Sequence, residues 1–234
     1  MKKKIEITRL SDFRDRATDE VAIETSLTIY VNEQRLPPLI CSPGDLKHLT
    51  VGHLATEGLI AKLSDIASLE VNEERGIAVV RTAVPESASS TPHKSPRVMN
   101  DLILRKDDVD FLMCCLQSRS GLFKETGCAH ASALGIGRRM IYFSEDLGRL
   151  NAIDKAIGHL LLDLGNPADK VLLTTGRVSS RMVLKVARVG IPVIASKAAP
   201  TDRAVELARE SNVTLLGFLR ENRVNVYTNE DRVV

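Results

Sequence analysis

A turn between two β-rich runs carries the first group of side chains that could bind a ligand. Residues 171–196 read VLLTTGRVSSRMVLKVARVGIPVIAS, in which a β-rich run ends near Gly176 and an amphipathic helix and a second β-rich run follow. In the βαβ unit that this order predicts, the turn directs backbone N–H groups and the positive end of the helix dipole at one point. Gly176, Arg177, Ser179 and Ser180 therefore predict a site for a phosphate or another anion. An ordinary strand-to-helix connection, with the serines capping the helix, is the alternative.

A cysteine and a histidine two positions apart form the second group. Cys128 and His130 lie in TGCAH, where Gly127 lets the backbone approach a ligand closely. A strand over 128–136 would place both side chains on one face. Because a thiolate beside an acid or base can act as a nucleophile, Cys128 and His130 are candidate catalytic residues. A buried cysteine and a hydrogen-bonded histidine without a catalytic role remain the alternative.

A short segment near the C-terminus forms the third group, with an aromatic ring followed by two arginines three positions apart. The guanidinium group of arginine can donate two parallel hydrogen bonds to a phosphate, and the phenylalanine ring can stack on a nucleotide base. The segment therefore predicts a nucleotide-binding turn. A solvated hairpin tip is the alternative. Its residues are Phe218, Leu219, Arg220, Glu221, Asn222 and Arg223.

The predicted elements place these groups at strand ends. Periodicity in the C-terminal third predicts strands 171–174, 192–196, 213–218 and 224–228 with helices 179–189 and 201–211 between them. Upstream we predict strands 21–31, 67–71, 76–83, 128–136 and 139–144 and helices 42–58, 107–118 and 150–164. This alternation indicates an α/β fold with a mixed sheet flanked by helices, in which ligands bind beyond the carboxyl ends of the strands. We expect an N-terminal α+β portion over 1–97 and an α/β domain over 98–234.

Other clusters of reactive side chains favour structural roles. His48 and His53 are five positions apart, whereas metal ligands on one helix face prefer three or four, so no metal site is predicted. Adjacent Cys114 and Cys115 in a helical run indicate core packing. A mixed-charge cluster around the start of helix 150–164 is typical of helix capping and surface ion pairs. It consists of Glu145, Asp146, Arg149, Asp154 and Lys155.

Composition narrows the class of protein. The chain has 234 residues and a formal net charge of +2, so no global field would recruit nucleic acid or an anionic membrane. No apolar run approaches the length of a spanning helix, and the N-terminal lysines precede no apolar signal region, which favours a cytoplasmic protein. Residues 84–97 read VPESASSTPHKSPR and predict a long loop, either a functional lid or a surface excursion.

Several blocks of this sequence, taken in order, resemble the formate dehydrogenase accessory sulfurtransferase (FdhD) family over nearly the whole chain. The blocks are ETSLTIYVNEQRL, TGCAHASAL at 126–134, EDLGRLNAIDKAIG at 145–158, TTGRVSSRMVLKVARVGIPVIASKAAPTDRAVELA at 174–208 and TLLGFLRENRVNVYT at 214–228.

The resemblance implies a cytidine-deaminase-like α/β domain with a smaller N-terminal portion, in a cytoplasmic homodimer. It implies a protein that accepts sulfur from a cysteine desulfurase as a persulfide. The sulfur passes to the molybdenum bis(molybdopterin guanine dinucleotide) cofactor before that cofactor enters formate dehydrogenase. By the same resemblance the guanine nucleotide end contacts Phe218 through Arg223, and the turn at Gly176, Arg177 and Ser179 fits an anion.

The chain departs from the family at the expected sulfur carrier. Typical members have a CGxCG-like cysteine pair in the loop that corresponds to 84–97, where this chain has no cysteine. Our hypothesis is that the nucleotide-cofactor pocket persists and that Cys128 carries the sulfur. The alternative is a binding protein that holds the cofactor and moves no sulfur. Zinc-dependent deamination, which fold analogy alone suggests, needs a PCxxC pair that this chain lacks.

Overall fold

The computed structural model describes residues 1–83, 96–99, 102–220 and 223–234. A six-stranded mixed sheet forms the α/β part, and a two-stranded hairpin and a smaller sheet precede it along the chain. The strands are β1 Lys2–Leu10, β2 Arg14–Ala22, β3 Thr25–Val31, β4 Gln34–Arg35, β5 Leu39–Cys41, β6 Ile66–Asn72, β7 Ile77–Thr82, β8 His130–Ile136, β9 Arg139–Asp146, β10 Val171–Thr174, β11 Val193–Ser196, β12 Thr214–Arg220 and β13 Arg223–Val226. The helices are α1 Leu46–Glu57, α2 Lys106–Arg119, α3 Gly121–Thr126, α4 Arg149–Leu162, α5 Ser180–Val189 and α6 Asp202–Glu210.

The six-stranded sheet has the order β13-β12-β11-β10-β8-β9. β10, β11 and β12 are parallel because α5 and α6 return the chain across the sheet after each strand, whereas β8, β9 and β13 run antiparallel to their neighbours. Thr174 pairs with Ser196 on one side and with Ser132 on the other. The carboxyl ends of β9 to β12 and the amino end of β8 therefore lie at one edge of the sheet, which we name the carboxyl edge.

Both faces of this sheet are covered. Leu172, Ile194 and Leu215 pack with apolar side chains of α4, α5 and α6, while Leu173 and Ala195 pack against α2 on the opposite face. Alternate side chains of a strand point to opposite faces, so strands buried on both sides read as continuous apolar runs. The predicted α/β fold with a mixed sheet flanked by helices is confirmed, whereas the cytidine-deaminase-like assignment and the division into 1–97 and 98–234 stay predictions.

Helix α1 joins the N-terminal elements to the larger sheet by packing closely on α4. A Cβ atom at Gly52 would lie 2.6 Å from the carbonyl carbon of Asp154, and one at Gly158 would lie 2.6 Å from the carbonyl carbon of His48. Neither distance is compatible with a side chain, so the two backbones meet in direct contact through paired glycines.

Ion pairs bury charge beside this contact. The Lys185 ammonium donates to the Asp154 carboxylate at 2.9 Å, and Lys155 lies 2.8 Å from Asp146. All of these side chains are at most 2% exposed. The prediction of surface ion pairs for Asp146, Asp154 and Lys155 is therefore wrong. Side chains of α1 and α5 cover Asp154 on α4. The segment before α1 covers the other two, since Ser42 contacts both Lys155 and Asp146 at the end of β9. Removing one partner of such a pair typically costs about 3–5 kcal/mol, since the other charge stays buried.

Some elements and one cysteine differ from expectation. The hairpin β1–β2 and the helix α3 were not predicted, and Cys114 is exposed rather than packed in the core. Most of the predicted loop 84–97, namely residues 84–95, lies outside the described residues. Within the described part of the chain, each helix is too short or too polar to cross a membrane.

Replacing Gly52 with alanine should destabilise the fold, because the added methyl forces α1 and α4 apart. We expect a loss of about 2 kcal/mol or more in the free energy of unfolding, measured by denaturant titration. Gly121→Ala is the matched control, because a Cβ at Gly121 has no atom within 4 Å. Equal stability of the two variants would contradict the close helix contact.

Candidate functional site

The carboxyl edge brings the three predicted groups to one side of the molecule. Cys128 and His130 lie at the amino end of β8, the turn from Gly176 to Ser179 follows β10, and Phe218 lies near the end of β12. β8 and β10 are neighbours, whereas β11 separates β10 from β12. With about 4.8 Å between adjacent strands, the turn and the Phe218 segment are about 10 Å apart, a span suited to one extended ligand.

The turn after β10 has the features of an anion site. Ser179 is the N-cap residue of α5, yet its side chain makes no capping hydrogen bond. The Gly176 backbone is held by neighbouring hydroxyls, since its N–H donates to Thr174 at 3.1 Å and its carbonyl accepts from Ser196 at 2.7 Å. The first N–H groups of α5 therefore lie at the carboxyl edge without a side-chain cap.

Arg149, at the start of α4, lies across this turn. A Cβ at Gly176 would come within 2.9 Å of the Arg149 Cβ, so the glycine makes room for the arginine side chain. The Arg149 Nε is buried and has no hydrogen-bond partner among the described residues. A buried donor without a partner is costly, and an anion at the turn would satisfy it. The sequence analysis had treated Arg149 as part of a structural charge cluster.

His130, the first residue of β8, is half-buried at the carboxyl edge. Burial lowers its pKa below the ordinary value, and the positive charges of Arg149 and Arg177 lower it further. The imidazole is therefore neutral at pH 7 and can accept a proton.

Cys128 lies in the turn between α3 and β8, with its thiol exposed. Gly127 ends α3 at a φ of 68°, and the Cys128 N–H donates to the Thr126 hydroxyl at 3.2 Å. Because β8 begins only at His130, the prediction that Cys128 belongs to the strand is wrong, and strand register does not set its distance from His130. The alternative of a buried cysteine is also wrong.

The acidic groups near the carboxyl edge are bound within the protein. Glu145 accepts the backbone N–H groups of Leu122 and Phe123 at the start of α3. Asp146 accepts from Ser42 as well as from Lys155. These two carboxylates are buried and directed inward, whereas Arg177 and Arg220 are exposed at the same edge.

Phe218 is held in an unusual backbone conformation. Its φ is 53°, and the register between β12 and β13 shifts between Gly217 and Arg220, which marks a bulge. Bulges re-aim side chains, and a non-glycine residue at positive φ is a sign of functional strain. Leu219 is buried in the core, whereas Arg220 and Arg223 are exposed. Glu221 and Asn222 lie outside the described residues.

A cavity of about 540 Å³ opens between α2 and this bulge. Its base is apolar, and its rim carries Lys197, Arg220 and the exposed thiol of Cys114. The Lys197 ammonium, just after β11, donates to the Gln117 side chain on α2 at 2.6 Å. This hydrogen bond connects the end of β11 to α2. The sequence analysis missed Lys197 and Cys114, although Lys197 follows directly after the predicted strand 192–196. The lining residues are Asp110, Met113, Cys114, Gln117, Lys197, Leu219 and Arg220.

The cysteines should differ strongly in reactivity. Cys41 is fully buried, and burial together with the charge of Asp146 raises its pKa to about 11. At pH 8 we expect iodoacetamide to modify Cys128 and Cys114 in the native protein, and to modify Cys41 only after denaturation. Peptide mass spectrometry after timed labelling measures this, and rapid native labelling of Cys41 would contradict the packing of β5.

Comparisons with known proteins agree with this architecture. The model of the FdhD/NarQ family matches residues 22–234. The sulfur carrier protein FdhD of Halalkalibacterium halodurans is 36% identical, with 92% of this chain and 89% of the relative covered. The protein of that name from Geobacillus kaustophilus is also 36% identical and covers 92% of this chain and 90% of its own.

A solved structure shares the fold. A crystal structure described as a formate dehydrogenase accessory protein, from Desulfotalea psychrophila, superimposes with a TM-score of 0.85 at 30% identity. The match covers 100% of this chain and 99% of the other. With a family match over residues 22–234 and relatives above 30% identity along most of its length, the chain belongs to the FdhD/NarQ family.

Proposed function

We propose that the protein is a sulfur carrier that serves as an accessory protein of a formate dehydrogenase. The observation that carries this proposal is the carboxyl edge, which holds the exposed Cys128, two positions before His130, and the positive charges of Arg149 and Arg177 that act on that histidine. The names of the similar proteins, sulfur carrier protein FdhD and formate dehydrogenase accessory protein, support the same function.

The client we assign to the carboxyl edge is the molybdenum bis(molybdopterin guanine dinucleotide) cofactor. Arg177, Arg220 and Arg223 are exposed and have no carboxylate partner within the described ranges. With Arg149 they offer forked donors to the pyrophosphate groups, and the Phe218 ring offers a stacking surface for a guanine base. The positions along the sheet edge suit a ligand with phosphates at the α5 turn and its base near β12.

Cys128 is the thiol that we assign to sulfur transfer. Its thiolate attacks the terminal sulfur of a persulfide on a cysteine desulfurase, the S–S bond of the donor breaks, and the desulfurase thiolate leaves. The product is a persulfide on Cys128, and no external oxidant is needed. His130, neutral at pH 7, is the base that takes the proton of the thiol. Residues 84–97 contain no cysteine, so the carrier thiol must lie elsewhere.

Partners and location follow from the same proposal. A cysteine desulfurase supplies the sulfur, and a formate dehydrogenase receives the cofactor. We expect a cytoplasmic homodimer, and sedimentation of the purified protein measures the dimer directly.

Incubation with a cysteine desulfurase and cysteine should add the mass of one sulfur atom to the protein. Intact mass spectrometry under non-reducing conditions measures the gain, and dithiothreitol should reverse it. The gain should disappear in Cys128→Ser and persist in Cys114→Ser, the matched variant of the other exposed thiol on the edge. Persistence in C128S with loss in C114S would move the carrier role to Cys114, and no gain in the wild type would refute sulfur transfer.

The second candidate function is a cofactor-binding chaperone that moves no sulfur. The absence of a cysteine from residues 84–97 favours it, because the family's typical carrier pair lies there. An intact mass without added sulfur, together with retained nucleotide binding, would select this function.

Guanosine diphosphate is a probe for the nucleotide end of the client. We expect Arg220→Gln and Arg177→Gln to weaken its binding by about tenfold or more, since each removes a charged hydrogen bond to a phosphate. Isothermal titration calorimetry measures the affinity. Arg75→Gln, on the exposed β6–β7 turn, removes the same charge far along the chain and should leave the affinity unchanged. Equal affinities in all of these variants would place the nucleotide elsewhere.

A further inference from the structure

A second cluster of side chains lies at the contact between α1 and α4. Asp45 precedes α1, His48 lies in its first turn, and His159 lies near the end of α4. One donor atom from each of the three falls within 4.8 Å of the other two. The sequence analysis compared His48 only with His53 on the same helix, whereas the fold pairs it with a histidine on another helix.

One buried polar atom of this cluster lacks an ordinary partner. The Nδ1 of His48 is buried and makes no hydrogen bond within the described part of the chain. It lies 3.6 Å from the Asp45 carboxylate, and the Nε2 of His159 lies 3.9 Å from the same oxygen. Both distances are too long for hydrogen bonds. Donor atoms around a tetrahedral Zn²⁺ lie about 3.4 Å apart, so the observed spacing is close to that of metal ligands.

Asp45 has a strained backbone conformation and does not cap α1. Its φ is 55°, in the left-handed region, and its carboxylate accepts no hydrogen bond from the start of α1 although it occupies the N-cap position. Aspartate at an N-cap normally accepts such a bond. Here the carboxylate faces the imidazoles, and the neighbouring His159 holds the pKa of Asp45 below its usual range.

We propose that Asp45, His48 and His159 bind a divalent transition-metal ion such as Zn²⁺. Two imidazoles and one carboxylate form a donor set that this class of metal prefers, and the half-exposed position of the carboxylate leaves a coordination site for water. The ion joins α1 to α4 beside the paired glycines and so fixes the N-terminal elements to the larger sheet.

Metal binding requires the histidines to tilt. Their rings are stacked, with centroids 3.6 Å apart at an interplanar angle of 20°, so their in-plane lone pairs are nearly parallel. The χ2 torsion of histidine is soft, and rotation of the rings out of the stack lets both lone pairs converge on one ion. The close contact of the His48 carbonyl with Gly158, next to His159, keeps the two residues together while the rings turn.

Competition of purified, metal-free protein with a chromophoric chelator measures Zn²⁺ affinity. We expect one Zn²⁺ per chain and a loss of affinity of at least about tenfold in Asp45→Asn and His159→Phe. Asparagine tolerates positive φ, and phenylalanine keeps a ring against His48, so both variants should fold. Asp107→Asn is the matched control, because it removes an exposed carboxylate in the first turn of α2 that is not part of the cluster.

Two further readouts distinguish this site from the thiols. Zn²⁺ should raise the unfolding temperature of the wild type and of D107N, and should have little effect on D45N. Co²⁺ bound in place of Zn²⁺ should show no sulfur-to-metal charge-transfer absorption. A charge-transfer band would assign the metal to cysteines, and equal affinity in D45N and D107N, or no binding by the wild type, would overturn the proposal.

Discussion

The direct contact of α1 with α4 through Gly52 and Gly158 is the constraint on which the rest of the structure depends. With no side chains between them, the two helices lie close enough for their polar groups to reach across the junction. Thr56 on α1 donates to the carboxylate of Asp154 on α4 at 2.9 Å, and the Lys185 ammonium on α5 donates to the same carboxylate. This arrangement fixes the rotation of α4, and therefore the direction in which its first residues face.

The rotation of α4 sets the charge of the carboxyl edge. Lys155 points inward to Asp146 and to the Ser42 carbonyl, which removes a carboxylate from the exposed surface. Arg149, at the start of the same helix, remains over the Gly176 turn with its Nε unpartnered. The protein thereby binds Glu145 and Asp146 internally and presents Arg177 and Arg220 to solvent at the strand ends. A ligand with phosphates complements that distribution, and burial, together with the charges of Arg149 and Arg177, lowers the pKa of His130 at the same edge.

The elements of the fold that the sequence predicts correctly are those whose hydrophobic pattern is local. The succession β10, α5, β11, α6, β12 was predicted with ends within one or two residues, because each element carries its own hydrophobic period and polar boundary. The hairpin β1–β2 was missed because its strands are charged and largely exposed on both faces, without the alternation of a half-buried strand. Helix α3 has only six residues, which is too short for a helical period to be recognised, so no element was predicted between 118 and 128.

The sequence by itself determined the order of the elements from β10 to β12, the turns that carry Gly176 and Phe218, and, through several ordered blocks, membership of the family. The tertiary structure alone decided which of the charged residues are buried, that Arg149 lies across Gly176, and that His48 meets His159. The physical reason is the range of the interactions. Helix and strand periods arise among residues a few positions apart, whereas burial and pairing join residues about a hundred positions apart, which only the packing of α1 on α4 brings into contact.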